Sequence, residues 1–485
     1  MNIFHCFIPI LLSLNNLLRV VAVDPWNFTV LADWHGAETF TMNDEHKDDE
    51  NQVFVTQRGI FTSINTRHTP ELIILPGDTN TGHWYKENFR ANFTKITGLE
   101  DLSPNEIIYQ AGKNCYKAIQ RLLTQAGFDK VLTTVGDHEY GKYIIIKYLF
   151  QKYTLEKKKK KLSRCHFVVL YIGGNPWSSS QQDKVLGLSD YRASFVESFN
   201  LNDDGSFKFD EPIGSALSRP IGTPFEYTSF AHVHKNALFV TIDAFHRVTF
   251  DGNNYFDREN GFGGEGYITC TVTGDHLSWF ESVLEAGKSD NSIKHIFVQA
   301  HVPVLQPVRK SDCSGQFMDG GTDSAFWKAM RKYGVDVYFP GEVHANTVSK
   351  DDESDLLQVV SRGVRISNYL AVDVNDNGFS ITAYNEIGTK WRFNGEYESY
   401  GWLNVDKSGN QTNITSSGIL KVVDTSFQPL IEFDFDQESF YPFNTKQIVG
   451  MKHDQFQKVL LGESITIRNE VSSTGMENKG VFTGE

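Results

Sequence analysis

With 485 residues, 40% hydrophobic and 22% charged, the chain carries enough apolar material for one large enzyme-sized domain plus additions, which excludes general disorder. Its formal net charge is −14, from 46 Lys and Arg against 60 Asp and Glu, so the basic footprint of a general nucleic-acid binder is missing. Phe is unusually frequent, at 36 residues beside 19 Tyr and 8 Trp, and the simplest destination for these rings is a β-rich core rather than a pocket lining.

From Phe4 the N-terminus reads FHCFIPILLSLNNLLRVVAV, apolar but interrupted by Asn15, Asn16 and Arg19. A secretory signal peptide over residues 1–22, cleaved near Ala22 with Val20 and Ala22 as the small residues, is the preferred reading. A membrane anchor and a buried first strand are the alternatives. The uninterrupted apolar run is short of the roughly 20 residues a span needs, and no second span is visible, so no stable membrane crossing is expected. Export would make the chain secreted or extracytoplasmic. It would leave Cys115, Cys165, Cys270 and Cys313 for up to two disulfides, with no pairing legible and no zinc-like spacing. Sequons at Asn27, Asn92, Asn410 and Asn413 are compatible with a glycoprotein.

The next stretch repeats one pattern: a short apolar strand, then a polar or glycine-rich loop. Asn27 to Leu31 runs into ADWHG, and Leu72 to Leu75 into PGDTNTG. The acidic segment Thr41 to Gln52 between them reads as a surface loop. A helix near Asn105 to Ala126 precedes Val131 to Val135, which runs into GDHEYG. The basic run Lys157 to Lys161 reads as a solvated loop, with docking to a polyanion as the alternative. Strands at Phe167 to Ile172 and Ala237 to Ile242 follow, the second leading into Asp243. A helix over Asp275 to Ala286 leads into His295 to Gln299 and AHVP. A helix near Ser324 to Lys332 leads into Val335 to Phe339 and PGEVHAN. Leu357 to Val364, Tyr369 to Val374 and Gly378 to Tyr384 then read as sheet without helices between them. The alternation predicts an α/β protein whose polar clusters sit at strand C-terminal ends, built as a two-sheet β-sandwich flanked by helices. Residues 23–385 would form this unit. Residues 386–485, rich in Gly, Asn, Ser and aromatic residues with short strands near Ile419 to Val423 and Leu430 to Phe435, would be a β-rich C-terminal extension.

Asp, His or Glu stands at each of five strand exits: Asp33 and His35, Asp78, Asp137 with His138, His301, and Glu342 with His344. At a strand-to-loop exit, residues i and i+2 can point the same way, so a carboxylate and an imidazole can share one divalent metal. Each short motif is weak alone. Two metals about 3.5–4 Å apart need about this many ligands and one bridging carboxylate.

In this order the chain resembles the calcineurin-like metallophosphoesterase superfamily, whose D-x-H, G-D, G-N-H-[E/D], later His and G-H-x-H stand here as Asp33-Trp34-His35, Gly77-Asp78, Gly136-Asp137-His138-Glu139, His301 and Gly341-Glu342-Val343-His344. The resemblance covers roughly residues 27 to 385. It implies a helix-flanked sandwich with two metals at the strand ends. Asp33, His35, Asp78 and His344 would hold one metal; Asp78, Asp137, His301 and Glu342 would hold the other. His138 matches the catalytic histidine. Two positions depart from the pattern: Asp137 replaces Asn, and Glu342 replaces the first His of G-H-x-H. The added carboxylates favour Mg, Mn or Ca at that position, with Zn or Fe open at the other, and they should raise the pKa of metal-bound water. HVP and GEVHA also resemble the purple acid phosphatases, but Thr81 stands where that branch has its Tyr ligand.

The implied activity is metal-dependent hydrolysis of a small phosphorylated substrate by a metal-bound hydroxide, phosphomonoesters first. Phosphodiesterase or nucleotidase is the near alternative, and a catalytically weak or inactive metal-dependent binding protein the distant one. Asp78, His138 and Asn80 are the catalytic candidates, Asn80 as a contact to phosphate oxygen or metal-bound water. Glu139 could support His138 or form a structural ion pair. His83 and Trp84 could line a pocket, and His246 follows the Asp243 exit. His234 and His295 read as structural.

Overall fold

The computed structural model describes residues 23–35, 52–80, 102–140, 144–145, 170–171, 188–249, 266–305, 309–310, 318–364, 367–386, 397–423, 433–434, 465–468 and 479–482. The apolar N-terminal segment, His83, Trp84, the 157–161 run, Asn92, Cys165 and Cys313 lie outside them.

Two seven-stranded sheets face each other. In the first, β1 (Trp26–Val30), β2 (Leu72–Pro76) and β3 (Val131–Thr134) run parallel. An antiparallel meander continues from β1. It comprises β10 (Asn368–Asn375), β11 (Gly378–Glu386), β12 (Tyr397–Asp406) and β13 (Asn413–Gly418). The second sheet has the order β14 (Val422–Val423), β8 (Thr347–Lys350), β9 (Leu357–Val360), β7 (Val337–Phe339), β6 (His295–Gln299), β5 (Ala237–Thr241) and β4 (Phe230–His234). Strands β5, β6, β7 and β9 are parallel. Residues 397–423 thus belong to the same two sheets, β12 and β13 extending one and β14 edging the other.

Helices α1 (Gln52–Arg67), α2 (Pro104–Gln125), α3 (Leu188–Phe199), α4 (Gly274–Ser289) and α5 (Ala325–Tyr333) accompany the sheets. Parallel strands buried on both faces need apolar residues at successive positions. Along β6, Phe297 faces the opposite sheet while Ile296 and Val298 join the helix-side core; along β5, Phe239 and the pair Leu238 and Val240 divide the same way. Phe28 on β1 meets Phe239 at 5.1 Å and Phe297 at 5.2 Å between ring centroids, so the abundant Phe does fill the space between sheets.

Helix α2 starts where expected because Ser103 and Glu106 cap each other's backbone amides and Pro104 opens the first turn. Ser324 caps α5, and Gly334 ends it in the left-handed conformation. The strand expected to reach Val364 stops at Val360. There Asn368 Oδ1 accepts from Ser361 Oγ and Arg362 N, and Asn346 Oδ1 also accepts from Arg362 N, turning the chain back toward β1. Cys115 and Cys270 are buried, and no disulfide joins them. Among the described residues no helix is long and apolar enough to cross a membrane.

Candidate metal centre

Five parallel strands end at one place. Asp33 and His35 follow β1, Asp78 follows β2, Asp137 and His138 follow β3, His301 follows β6, and the Glu342–His344 turn follows β7. The two sheets meet there, so ligands far apart in sequence converge. Asp33, His35, Asp78 and His344 form one group, and Asp78, Asp137, His301 and Glu342 the other. Within each group the ligand atoms lie within 4.8 Å of one another, and every member is buried. All seven metal-ligand candidates from the sequence are brought together, with Asp78 shared.

The backbone is strained where it presents them. Asp33, His35, Asp78, Glu342 and His344 all adopt positive φ, between 46° and 66°, and make up five of the eight non-glycine residues with this conformation among those described. Left-handed backbone costs a non-glycine residue about 1–3 kcal/mol, and such strain tends to collect at functional sites. Gly77 is left-handed too, at φ 83°, and a Cβ there would in addition lie 2.5 Å from His301 Nδ1.

Tight contacts hold the side chains. His301 Nδ1 lies 2.9 Å from the Pro76 carbonyl oxygen and donates to it, which leaves Nε2 facing Asp78, Asp137 and Glu342 oxygens at 3.4, 3.4 and 3.3 Å. Without a cation, burial opposes charge on this imidazole, but Asp78, Asp137 and Glu342 outweigh it and hold its pKa well above the ordinary histidine range. Asp78 is driven the other way: burial, then the charges of Asp137, Glu139 and Asp33, push its carboxyl well above the usual range against the pull of His301. His35 Nε2 and His344 Nε2 face each other at 3.0 Å. His344 Nε2 is 3.3 Å from Asp33 Oδ1, which also accepts from Glu342 N at 2.9 Å and ties the last motif to the first.

The donor set fits divalent cations. Asp33 Oδ2 and Asp78 Oδ2 are buried and accept no hydrogen bond, a costly state for carboxylate oxygens without a counter-charge. Cations at the two groups would neutralise the four carboxylates and use the histidine lone pairs.

His138 opens a short 3-10 turn (His138–Tyr140) beside Asp78, with Nε2 3.7 Å from Asp78 Oδ2 and its ring 4.5 Å from that of His35. His138 and His344 are each 8% exposed, against 0–4% for the remaining members, so they lie nearest solvent. Asn80 is fully buried, and its side-chain amide donates to Tyr116 Oη and to Glu139 Oε1, into the layer behind the cluster. Among the described residues Glu139 forms no ion pair with His138, Lys or Arg: it accepts from backbone and side-chain donors of the Asp78 loop and from Gly136 N. Its carboxyl is pushed up by burial, with Thr79, Gly136 and Asn80 donors pulling back.

The Asp243 exit belongs to a separate ion pair. Asp243 Oδ2 takes Arg192 at 2.9 Å and Thr228 Oγ1 at 2.8 Å. His246 packs on Phe225 with ring centroids 4.4 Å apart, and burial lowers its pKa to about 4, so it is a neutral packing residue. His234 pairs with Glu71, and His295 sits near the Asn375 carbonyl oxygen and Asp336.

No family model matches the chain, and no curated protein does. Solved structures similar to it include a dimetal phosphatase from Danio rerio, at 14% identity and a TM-score of 0.38, spanning 74% of this chain and 96% of that one. GAP50, the anchor in the inner membrane complex of Plasmodium, aligns at 10% identity and a TM-score of 0.36 over 77% and 88%. PhoD aligns at 12% and 0.43 over 83% and 74%. Similarity this distant carries no argument of its own, so the chemistry must be argued from the cluster.

Proposed function

We propose that the chain is a two-cation phosphoric ester hydrolase acting on small phosphomonoesters. The observation that carries this reading is the convergence of seven buried metal-ligand side chains into two groups that share Asp78. Two divalent cations, when bound, would polarise phosphoryl oxygens and lower the pKa of water. Asp33, His35 and His344 would hold one with Asp78; Asp137, His301 and Glu342 would hold the other. Three carboxylates and one imidazole in the second group favour Mg, Mn or Ca there, while two imidazoles in the first suit Zn or Fe as well.

The remaining chemistry belongs to the chain. His138, with His344 the most exposed of these residues, would donate a hydrogen bond to a phosphoryl oxygen or a proton to the leaving oxygen. Its backbone N–H donates to Asp78 Oδ1 at 3.1 Å, which orients the shared carboxylate and the histidine together. The buried walls of the centre keep bulk water from the ligands and strengthen every charge interaction inside.

The test is turnover of p-nitrophenyl phosphate and of its diester by metal-stripped protein reloaded with Mn, Mg or Zn, in wild type and Asp78→Asn. Monoester hydrolysis that needs added metal and vanishes in Asp78→Asn supports the reading. Preferred diester turnover would make the chain a phosphodiesterase, and tight metal binding with no turnover on a broad panel would make it a binding protein.

A further inference from the structure

Two loops meet behind the cluster through a reciprocal exchange of carboxylates. Asp78 Oδ1 accepts from His138 N across the gap. In the opposite direction, Glu139 reaches into the Asp78 loop. Its Oε2 accepts Asp78 N at 3.1 Å and Gly136 N at 2.7 Å, one oxygen clasping the start of both loops. Its Oε1 accepts Thr79 N at 3.0 Å, Thr79 Oγ1 at 2.6 Å, Asn80 N at 3.3 Å and Asn80 Nδ2 at 3.0 Å. The carboxylate is 1% exposed and takes all these donors from Asp78, Thr79 and Asn80 in one loop and Gly136 in the other. Asn80 Nδ2 carries the network on to Tyr116 Oη, on α2.

We propose that Glu139 is a positioning residue that locks the shared ligand Asp78 against Asp137 and His138, so that the two cation sites form at one fixed spacing. The inference rests on the two-cation reading above for its functional consequence, though the brace itself does not. The reason is chemical. Asp78 sits at φ 53°, a conformation its own side chain disfavours, and something must hold it there. Its backbone N–H, and those of the next two residues, are all held by Glu139, so the turn is fixed from outside rather than by its own sequence. Asp78 must also face two cations at once, which demands tighter placement than a ligand serving one. Gln cannot substitute, because its amide nitrogen would confront N–H donors where Oε2 now accepts two.

The experiment compares full-length wild type, Glu139→Gln and Thr79→Val, which removes only the shortest of these bonds. Metal-stripped protein is titrated with Mn²⁺ by calorimetry, and amide exchange is followed at Gly136, Asp78, Thr79 and Asn80. Glu139→Gln should weaken Mn²⁺ binding about 10- to 100-fold, as loss of a ligand-orienting partner does. Exchange at the four amides should accelerate in it, and Thr79→Val should show both effects more weakly. Asp351→Asn, which breaks a buried ion pair outside the cluster, serves as the control for general destabilisation and should leave Mn²⁺ affinity unchanged. Wild-type Mn²⁺ affinity in both site variants, or equal weakening in Asp351→Asn, would overturn the positioning role. If wild type binds no Mn²⁺, the hydrolase reading fails. The brace is then decided by exchange alone, which must still accelerate at the four amides in Glu139→Gln, or the brace fails as well.

Discussion

Gly136→Ala isolates the closest approach in the centre. A Cβ on residue 136 would lie 2.2 Å from Asp78 Oδ1 and 2.3 Å from Asp78 N. Gly136 is not among the residues with positive φ, so alanine meets no backbone strain of its own and the effect is purely steric. Ordinary contact is roughly 3.5 Å, so the loops must part by about 1 Å. Overpacking of this kind costs about 1–3 kcal/mol of stability. A misplacement of about 1 Å between catalytic groups lowers turnover roughly 100-fold. The control is Gly127→Ala. Its φ is +84° but nothing lies within 4 Å of the added Cβ, so it should cost about 1 kcal/mol and leave the centre untouched. Urea unfolding, Mn²⁺ calorimetry and turnover on both variants give the answer. If Gly136→Ala keeps wild-type metal affinity and turnover, the loop spacing does not govern the centre and the reasoning is refuted.

Three further outcomes follow from particular groups. Glu342→His leaves two carboxylates in the second group, so metal preference should move toward Zn and the pH optimum should fall; a metal titration across pH checks this, and high wild-type activity at pH 5 with zinc alone would contradict the carboxylate argument. Asp351 accepts from Trp327 Nε1 at 2.8 Å and from Arg331 Nε at 2.8 Å, so Asp351→Asn should destabilise the fold by about 3 kcal/mol in urea titration. Burial alone would raise the Asp351 carboxyl, but its Arg331, Trp327 and Ser354 bonds hold it below the usual range. The stabilisation it contributes is therefore complete above the unfolded pKa of about 3.9 and lost as pH falls through the lower folded value, which wild-type and Asp351→Asn unfolding curves at pH 2–6 should show. Phe28→Ala should cost about 3–5 kcal/mol by thermal or urea unfolding, since Phe28 joins both sheets through Phe239 and Phe297.

The clustering of these seven side chains was legible because each follows a strand whose apolar run is unmistakable: LIIL before Gly77-Asp78, HIFVQ before His301. Strand exits of parallel sheets converge, which brings the members together; their division into two groups was what the family resemblance implied. Helix α1 was not legible. Its sequence, QVFVTQRGIFTSINTR, is rich in β-branched residues, has a glycine within it and no acid in its first turn, and only packing decides it. Nor was the role of Glu139, since no spacing rule foretells that one carboxylate will accept from two loops 60 residues apart. Asn80 was not legible in full either: its place beside Asp78 suggested a contact to phosphate oxygen or metal-bound water, and nothing in its position foretold that its amide nitrogen donates to Tyr116 and Glu139. Side-chain direction inside a loop is set by the neighbours that satisfy it, which local sequence does not reveal.

The most direct test of the central claim is the number of Mn²⁺ ions bound per chain by calorimetry on metal-stripped protein. Two sites in wild type, one in His35→Ala and none of wild-type affinity in Asp78→Asn would match two groups sharing one carboxylate. A single site in wild type, or two undisturbed sites in Asp78→Asn, would contradict it.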